Sequence, residues 1–466
     1  MLFTSFLFIG LVIITFLLYY LPFLSKLQVS TLIISSLIFY SYNQPILVLL
    51  LLFSVSINII SSYYIVYGNV KYRKGFATAG VVLNLSILVF FKYSPLLAKT
   101  FFTASNSIGE FLTMMPLPIG ISFFTFQGIS LVIDVYKEKY VSSLQLVPKS
   151  FLVHAKQTLF FKGFFPQLIS GPIVKAHDFI PQIGKKSFDD INWNVVAKNL
   201  ITGYFLKMVV ADNLKDFTFW IDFPYFQGQS SLTLLVMLFG YSCQIFADFA
   251  GYSLIAIGLA KLFGYDFKDN FKFPYISTSF KEFWKRWHIS LSSFLMEYLY
   301  IPLGGNKKGK VRTYINLMIV MFLGGLWHGA AWSYAIWGSF HGLALAIEKF
   351  LGEHIKMRSN PFIKIGKGLM IFSFVTLAWL LFKLPDFEHV IAYFKSIGNN
   401  VQHADDSQVI TYILLYSSPV ILYHLFYLLK DRWLFINRTD YVWYGTMLFL
   451  IIVNSGSSGA FIYFQF

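Results

Sequence analysis

Long apolar runs recur along the whole chain, and this repetition constrains the fold more than any other feature of the sequence. A helix needs about 20 mostly apolar residues to cross the hydrocarbon core of a bilayer, and residues 45–67, 362–384 and 409–429 form runs of that kind. Only 13% of the 466 residues are charged, whereas 56% are hydrophobic. Because backbone groups in lipid must be satisfied within the protein, such runs favour helices. The sequence therefore predicts an all-α, multi-pass membrane protein with about ten or eleven transmembrane helices.

The charge of +15 indicates where the basic loops lie rather than a nucleic-acid partner. In so apolar a chain, Lys and Arg concentrate in cytoplasmic loops and near anionic lipid head groups. We therefore expect membrane lipids, and no nucleic acid, as partners. No repeat or change in composition divides the chain, so we predict a single membrane domain over residues 1–466. The uncharged first segment lacks a cleavage box, which predicts a retained anchor.

One apolar stretch is too broken to form a straight transmembrane helix. Residues 160–183 contain three prolines and a glycine that interrupt a helix, namely Pro166, Gly171, Pro172 and Pro181. Non-helical backbone at membrane depth persists only where protein or water satisfies its polar groups. We therefore predict a re-entrant or buried element here.

Two further segments predict helices that lie at the membrane boundary. Within residues 281–300, Trp284, His288 and Ser292 follow one another at intervals of four, which puts an imidazole on an aromatic helix face. Residues 386–394 predict a second, shorter interfacial helix. The region from 268 to 312 carries nine Lys and Arg residues against three acidic ones. This excess indicates a cytoplasmic surface that attracts an anionic donor molecule.

His328 is the strongest candidate for chemistry. It follows 15 uncharged residues after Arg312, so a helix beginning at the surface carries it about 22 Å inward. An ionisable side chain at that depth usually faces a cavity or a partner, and imidazole exchanges protons near neutral pH. Gly324, Gly325 and Gly329 leave room beside it for another backbone or a substrate. Two interpretations remain open: a general base, or a buried histidine bonded to a neighbouring carbonyl group.

His288, Asp248 and Gln244 each have a structural and a functional interpretation. His288 either anchors the interfacial helix at the head groups or lines the mouth of a cavity. Asp248 lies between two apolar runs, residues 232–247 and 252–263, with Gln244 one turn before it. This carboxylate either bonds to backbone at a helix break or orients a base or a substrate.

Three other polar residues have simpler interpretations. We expect Lys207 to extend its amine toward the membrane surface. His341 follows His328 by 13 residues and would point to a different face of one continuous helix, which favours packing or support of the site. Glu348 lies near a helix end and needs no special role.

Several catalytic motifs are missing from the sequence. There is no His-Glu-x-x-His zinc pair, no Gly-x-x-x-x-Gly-Lys-Ser/Thr phosphate loop and no Gly-x-Ser-x-Gly elbow. A metalloprotease, an ATPase and a serine hydrolase therefore lose support. With a single cysteine, Cys243, a disulfide within the chain and a multi-cysteine metal site are excluded, and we expect no bound metal.

Four blocks of sequence carry a resemblance to a known family. They read FPQLISGPI at 165–173, QIFADFAGY at 244–252, FWKRWHIS at 283–290 and WHG at 327–329. Together they resemble the membrane-bound O-acyltransferase (MBOAT) family, in particular its bacterial branch that O-acetylates extracytoplasmic polysaccharides. The likeness extends from about Leu2 to the terminal residues 461–466. The chain departs from the pattern at residues 43–45, where relatives often have a tryptophan-rich turn, and at Lys383, where arginine is expected.

The resemblance implies a fold, a site and a reaction. Many helices would enclose a funnel or tunnel, with His328 as the catalytic histidine and His288 as a second signature histidine. An acetyl group would come from a cytoplasmic thioester, with acetyl-CoA as the expected donor and no tightly bound cofactor. It would leave on the other side of a bacterial inner membrane, where a separate periplasmic acetyltransferase completes delivery. We assign substrate contact to six further residues: Asp248, Gln244, Trp327, Trp287, Lys285 and Arg286.

The expected function is O-acetylation of an extracytoplasmic polysaccharide, with peptidoglycan ahead of an alginate-like exopolysaccharide. D-alanyl transfer to teichoic acid is an alternative reaction within the resemblance. A transporter or flippase is an alternative class, since broken membrane segments and intramembrane polar residues are typical of transporters. A scaffold that docks a periplasmic enzyme is a third class.

Overall fold

The computed structural model describes residues 1–42, 44–102, 106–168, 171–354, 360–429, 440–457 and 459. Asn43, Ile169, Ser170 and the terminal motif at 461–466 lie outside the described residues. Throughout the described ranges the secondary structure is helical, and they contain no strand, as the all-α prediction requires. Backbone contacts divide the chain into two compact units, one made of residues 1–199 and 255–268 and the other of residues 200–254 and 269–466. The predicted single domain over residues 1–466 stays a prediction.

The first unit consists of apolar helices that follow one another with short connections. Its longer helices are Phe6–Tyr20, Gln28–Ser41, Leu47–Tyr67, Arg73–Phe101, Ser107–Thr113, Ile121–Lys137 and Phe151–Gly163. Four-residue helices lie at Ser143–Leu146, Phe165–Leu168 and Ala176–Phe179. Short 3₁₀ turns lie at Pro22–Leu27, Val70–Tyr72, Ile180–Gln182 and Phe188–Asp190.

The second unit carries most of the residues that the sequence singles out. Its helices are Asp212–Thr218, Phe280–Arg286, Ile289–Leu295, Lys310–His328, Trp332–His354, Pro361–Lys383, Phe387–Asn399, Ser407–Leu429 and Asp440–Val453, with π-helical turns at Phe205–Ala211 and Met296–Tyr300. Its 3₁₀ turns are Phe219–Ile221, Tyr225–Gly228, Pro274–Ile276 and Asn400–Gln402. Helices Trp193–Tyr204 and Ser231–Leu262 contribute residues to both units.

Six helical segments of the described chain are long and apolar enough to cross a membrane: Pro22–Ser41, Leu47–Tyr67, Val70–Phe101, Ser231–Leu262, Pro361–Lys383 and Ser407–Leu429. Phe6–Tyr20 and Asp440–Val453 are shorter apolar helices. The chain is thus a multi-pass membrane protein. Lys310–His328 and Trp332–His354 have 19 and 23 residues but are more polar. For these and the remaining helices, the predicted total of ten or eleven spans stays a prediction.

Most of the described part of the broken apolar stretch, residues 160–168 and 171–176, is buried, as predicted. Helix Phe151–Gly163 ends before Phe164, and in the described residues up to 183 the short helical turns Phe165–Leu168, Ala176–Phe179 and Ile180–Gln182 follow. The rings of Phe160 and Phe179 pack against Tyr265 with centroids 5.3 Å away in each case. The segment is therefore held by aromatic contacts within the first unit rather than by a continuous helix.

Three predictions about helix continuity are wrong. Helix Ser231–Leu262 runs without a break through Asp248. The predicted amphipathic helix over 281–300 is divided at Trp287 and His288. A third break, at residues 329–331, separates His328 from the helix that carries His341. The predicted short helix at 386–394 is present as Phe387–Asn399, and its position at the membrane boundary stays a prediction.

Candidate active site

A tight helical hairpin holds His328. Lys310–His328, the His328 helix, is followed by Trp332–His354, the His341 helix. A Cβ atom on Gly325 would lie 2.9 Å from the Cα of Gly338, and one on Gly338 would meet the carbonyl oxygen of Met321. The two backbones can approach this closely only because both positions are glycine. The prediction that glycines make room for another backbone is confirmed at Gly325.

His328 lies at the last residue of its helix in an aromatic enclosure. Its side chain is buried, and the residue is only 2% exposed. The ring centroid lies 5.1 Å from Trp327, 5.2 Å from Trp337 and 5.1 Å from Phe382, each in an edge-to-face arrangement. Trp379 stacks on Trp337 at 5.5 Å. These rings separate the imidazole from the surface of the unit.

His288 is brought next to His328. Their ring centroids are 6.3 Å apart, and His288 also contacts Trp327 at 5.8 Å and Phe249 at 4.6 Å. His288 is fully buried, so the head-group anchor interpretation does not fit. Its φ of 44° lies in the left-handed region, which costs a non-glycine residue roughly 1–2 kcal/mol. Such strain often accompanies a functional site, and here it turns the imidazole into the interior between two short helices.

Asn270 fixes the proton position on His288. The side-chain oxygen of Asn270 accepts hydrogen bonds from the Ser290 backbone N–H at 3.1 Å and from its hydroxyl at 2.8 Å. It also lies 3.2 Å from His288 Nδ1. Because a backbone N–H can only donate, the atom it meets is the acceptor oxygen. His288 Nδ1 therefore carries the proton, and its Nε2 presents a lone pair.

The amide nitrogen and the backbone carbonyl of Asn270 also form hydrogen bonds. Its amide nitrogen donates to the Ser253 hydroxyl at 3.0 Å, and its backbone carbonyl accepts the Ile289 N–H at 2.9 Å. Burial lowers the pKa of His288 to about 3, so this ring is neutral near pH 7. The sequence interpretation missed Asn270 because its contact with His288 joins two irregular segments, where helical periodicity gives no signal.

Asp248 and Gln244 bond to the segment 205–218. Lys207 Nζ lies 2.7 Å from carboxylate oxygens of both Asp248 and Asp212, and Gln244 Oε1 accepts a hydrogen bond from the Thr218 hydroxyl. Lys207 is 1% exposed, so the expectation that it reaches the membrane surface is wrong. The geometry gives Asp248 and Gln244 a role in joining helices, and their contact with substrate stays a prediction.

Lys207 itself lies in irregular backbone. The segment Phe205–Ala211 is π-helical, a geometry that is rare and often found at functional sites. The close contact with the next helix occurs at Gly251, where a Cβ atom would lie 2.8 Å from the carbonyl oxygen of Gly203 and 2.9 Å from the Lys207 nitrogen. This close approach lets the buried charges meet.

The remaining predicted substrate-binding residues divide into buried and exposed ones. Trp287 is buried and stacks on Phe283 at 5.6 Å, and it contacts Trp379 at 4.9 Å. Through Trp379 and Trp337, a chain of tryptophan rings joins Trp287 to His328. Trp327 contacts both signature histidines.

Lys285 is exposed, whereas Arg286 is half-buried and bonded. The Nε of Arg286 donates to Glu282 at 3.0 Å and an Nη donates to the Lys272 carbonyl at 2.9 Å. Partial burial works to raise the pKa of Glu282, but hydrogen bonds from Thr278 and the pair with Arg286 lower it below its ordinary value. Contact of Lys285 and Arg286 with substrate stays a prediction.

His341 occupies an aromatic cage of its own. Its ring contacts Trp337 at 4.8 Å, Trp284 at 5.2 Å and Phe283 at 6.1 Å. It is fully buried, and within the described residues neither ring nitrogen has a hydrogen-bond partner. On the same helix, Glu348 accepts backbone N–H groups from the first turn of helix Phe280–Arg286. Glu348 thus caps that helix, a role that its sequence position did not indicate.

Comparison with known proteins adds an independent finding. The sequence profile of the MBOAT, membrane-bound O-acyltransferase family matches residues 101–384, which is more than half of the chain. A peptidoglycan O-acetyltransferase of Helicobacter pylori is 32% identical over 85% of this chain and 83% of its own length. A probable alginate O-acetylase of Pseudomonas syringae pv. tomato is 40% identical over 65% of this chain and 57% of its own length. A teichoic acid D-alanyltransferase of Bacillus subtilis is 28% identical over 77% of this chain and 90% of its own length.

Proposed function

The chain belongs to the membrane-bound O-acyltransferase family, and we propose that it passes an acetyl group from cytoplasmic acetyl-CoA to an extracytoplasmic polysaccharide. It is an O-acyltransferase; the donor, the direction and the glycan are the proposed parts. The observation that carries the proposal is the buried pair of His328 and His288 within an aromatic enclosure. A proton-accepting ring beside a second ring of fixed tautomer suits acyl transfer to a hydroxyl group.

The proposed reaction uses His328 as general base and then as general acid. His328 takes the proton of an acceptor hydroxyl while the oxygen attacks the carbonyl carbon of the thioester. The carbon–sulfur bond then breaks, and the imidazolium of His328 returns the proton to the departing thiolate. The products are an O-acyl ester and a free thiol, so no proton is gained or lost. His288 lines the path beside His328, where its neutral Nε2 accepts a hydrogen bond from a second, neighbouring hydroxyl group of the acceptor and so orients that molecule.

Exposed basic residues indicate the side from which the proposed anionic donor approaches. The exposed residues Lys281, Lys285, Lys307, Lys308, Lys310 and Arg312 belong to one stretch of the chain that we name the basic cluster. Such a surface attracts an anionic molecule such as CoA. Lys310 begins the His328 helix, so Lys310 and His328 are about 27 Å apart along the helix axis, at about 1.5 Å per residue.

Peptidoglycan is the proposed acceptor, ahead of an alginate-like exopolysaccharide. Support comes from the Helicobacter pylori relative, whose alignment extends over 85% of this chain, although the probable alginate O-acetylases are more identical over a shorter region. With this acceptor, the proposed location is a bacterial inner membrane. A periplasmic acetyltransferase would then complete delivery to the glycan.

Reconstitution tests the proposal directly. Purified protein in liposomes, supplied with acetyl-labelled acetyl-CoA on one side, should acetylate peptidoglycan fragments supplied with a periplasmic acetyltransferase on the other. The His328→Ala variant should lose the transfer, whereas His403→Ala, which changes an exposed histidine, should retain it. Unchanged transfer by a folded His328→Ala protein would discard the mechanism.

The same assay separates the alternatives. Label that crosses as unmodified donor or glycan, without an ester product, indicates a transporter. Transfer of D-alanine from a carrier-protein thioester, with no transfer of acetyl, indicates the teichoic acid reaction, for which the Bacillus subtilis relative gives support. Glycan acetylation that survives His328→Ala as long as the partner enzyme is bound indicates a scaffold.

A further inference from the structure

Two segments of the second unit form a cap with many exposed aromatic rings. They are residues 219–229 and helix Phe387–Asn399, and we name them the aromatic cap. The residue after that helix, Asn400, joins them, because its amide nitrogen donates to the carbonyl oxygens of Gln227 and Gln229 at 2.9 Å in each case. The rings that are 39–47% exposed are Phe219, Trp220, Phe223, Tyr225, Phe387 and Phe394.

The aromatic cap lies at the His328 end of the second unit. The His341 helix returns from that end to the basic cluster, since Lys310 pairs with Glu353 at 2.9 Å. Helix Pro361–Lys383 then leads back, and Phe382 near its end contacts the His328 ring at 5.1 Å. Helix Phe387–Asn399 follows directly. The aromatic cap and the basic cluster therefore lie at opposite ends of these helices.

The charge of the aromatic cap is opposite to that of the basic cluster. Residues 384–406, which connect the spans that end at Lys383 and begin at Ser407, contain four acidic residues and a single basic one, Lys395. Lys and Arg concentrate on the cytoplasmic side of membrane proteins, so this composition favours the extracytoplasmic side for the cap. Such a surface repels polyanions and admits uncharged molecules.

A half-buried ion pair at the edge of the aromatic cap has hydrogen-bonding capacity to spare. Lys383 follows Phe382, and its Nζ donates to Asp222 Oδ2 at 2.9 Å, with 20% and 36% of the two side chains exposed. Within the described residues, the Lys383 ammonium group has no other hydrogen-bond acceptor and Asp222 Oδ1 accepts no hydrogen bond. The pair thus offers further N–H donors and a carboxylate oxygen next to the wall of the His328 enclosure.

A flat pair of rings adjoins this ion pair. Phe223, the residue after Asp222, stacks on His389 with ring centroids 4.2 Å apart and an interplanar angle of 5°. Phe223 is 44% exposed, so the ring pair presents an apolar surface beside hydrogen-bonding groups. A sugar matches this arrangement, because its C–H groups form a flat face and its hydroxyl groups lie around the rim. An N-acetyl group adds a methyl group for the rings and an N–H for the carboxylate.

The bilayer does not account for the ring pair. Phe387, Ile391 and Phe394 lie on one face of their helix and are 42–45% exposed, a pattern that suits the membrane boundary. His389 follows Phe387 by two positions, which is about 200° around the helix, so it lies on the side away from that face. One helix cannot place both sides in the same lipid surface. The ring pair is therefore available to a ligand from water.

We propose that Asp222, Lys383 and the Phe223–His389 ring pair bind an uncharged amino-sugar unit of the acceptor glycan. The ion pair bonds to the acetamide and hydroxyl groups, the rings contact the sugar face, and the glycan is held at the enclosure of His328. A polyuronate, with a carboxylate on every sugar, is repelled by the acidic surface. This inference rests on the proposed function, since it takes the ligand to be the acceptor. It gives the proposed preference for peptidoglycan over an alginate-like exopolysaccharide a basis in named residues.

Two oligosaccharide probes test the site without any acyl donor. Chitotetraose is an uncharged oligomer of N-acetylglucosamine, whereas tetramannuronate carries a carboxylate on every sugar. Binding of each to the purified full-length protein in nanodiscs is measured by saturation-transfer difference NMR. Chitotetraose should bind about tenfold or more tightly than tetramannuronate at low salt. Phe223→Ala and Asp222→Asn should each weaken chitotetraose binding about fivefold, the effect of losing one ring contact or one hydrogen bond.

Matched variants test the ring pair and the charge separately. Phe362→Ala changes a ring that is 84% exposed at the opposite end of helix Pro361–Lys383, and it should leave chitotetraose binding unchanged. Glu388→Gln removes an exposed carboxylate of the aromatic cap, so it should strengthen tetramannuronate binding without changing chitotetraose binding. Thermal unfolding establishes that each variant folds. Equal binding of the two probes, or chitotetraose binding that survives both Phe223→Ala and Asp222→Asn, would overturn the proposal.

Two other occupants of the ring pair would also overturn it. A fluorescent label at Phe223→Cys that is quenched by doxyl-labelled lipids would show that the ring pair lies in the bilayer. Loss of binding to the periplasmic acetyltransferase in Phe223→Ala, by a protein that does not bind chitotetraose, would show that the ring pair is a protein interface.

Transfer kinetics separate this inference from the proposed function. In the reconstituted reaction, Phe223→Ala and Asp222→Asn should raise KM for glycan fragments and leave KM for acetyl-CoA unchanged. Chitotetraose binding by a protein that transfers acetyl from no thioester would support the sugar site and sink the proposed function. Acetyl transfer with the same KM for glycan fragments in wild type and both variants would sink the sugar site alone.

Discussion

Replacing Lys207 by methionine separates a structural role of Asp248 from a substrate-binding one. Lys207 Nζ lies 2.7 Å from oxygens of both Asp212 and Asp248, and at that distance each pair attracts by about 6 kcal/mol at an effective dielectric constant of about 20. This attraction offsets the cost of removing the three charges from water. Methionine preserves the length of the side chain but leaves two buried carboxylates without their cation.

The expected loss is large for a single substitution. Removing one partner of a buried ion pair typically costs about 3–5 kcal/mol, and Lys207→Met removes the partner of two. We expect the free energy of unfolding to fall by at least that amount. The measurement is a titration with sodium dodecyl sulfate of protein in mild detergent, followed by circular dichroism.

A triple variant provides the control. Lys207→Met combined with Asp212→Asn and Asp248→Asn removes all three charges at nearly constant volume. Since neutral replacement of a complete buried ion pair is often close to neutral in stability, the triple variant should recover most of the loss. A Lys207→Met protein within about 1 kcal/mol of wild type would refute the reasoning, because it would mean that the pairs contribute little. If the triple variant recovers stability yet shows a raised KM for the acceptor, Asp248 contacts substrate.

Two further predictions concern the site itself. Asn270→Asp should shift the acidic limb of the pH–rate profile to higher pH. A carboxylate next to the ring raises the pKa of His288 from about 3, so the ring becomes protonated and loses its lone pair at a higher pH. An acidic limb that stays at the same pH would contradict the tautomer assignment. Gly338→Ala should lower thermal stability and acyl transfer, because its Cβ would meet the Met321 backbone. The control Gly352→Ala, with open space around it, should be neutral or stabilising by up to about 1 kcal/mol. Equal effects of the two substitutions would contradict the close contact between the two helices.

Sequence patterns predicted the features that depend on local composition. Apolar runs predicted helices at 45–67, 362–384 and 409–429, and the structure has Leu47–Tyr67, Pro361–Lys383 and Ser407–Leu429. Prolines and glycines predicted the broken segment near Pro166. In these cases the length of a run, or the missing N–H of proline, determines the outcome almost without reference to the rest of the chain.

The failures arise where a distant residue decides the local structure. A carboxylate at Asp248 suggested a helix break, yet the helix continues because Lys207, 41 positions earlier, pairs with it. Periodicity placed His288 within a helix, but its left-handed backbone and bond to Asn270 turn the ring inward. His341 seemed to share a helix with His328, and the break at 329–331 instead lets both contact Trp337. None of these partners is marked by a local pattern.

The different environments of the two histidines explain how a base can work inside an aromatic enclosure. His328 must become positively charged while it holds the proton of the acceptor, and a second charged imidazole with its ring centroid 6.3 Å away would oppose this by like-charge repulsion. Burial and the Asn270 bond keep His288 neutral with its lone pair on Nε2, so only one ring carries charge at a time. The surrounding tryptophan and phenylalanine rings limit access of bulk water, which would otherwise compete with the hydroxyl for the thioester. Asn270→Asp would make His288 easier to charge but would leave the aromatic enclosure, and so the exclusion of water, unchanged. A gain of thioester hydrolysis should therefore follow from opening the aromatic enclosure, at Phe382 for example, and not from Asn270→Asp.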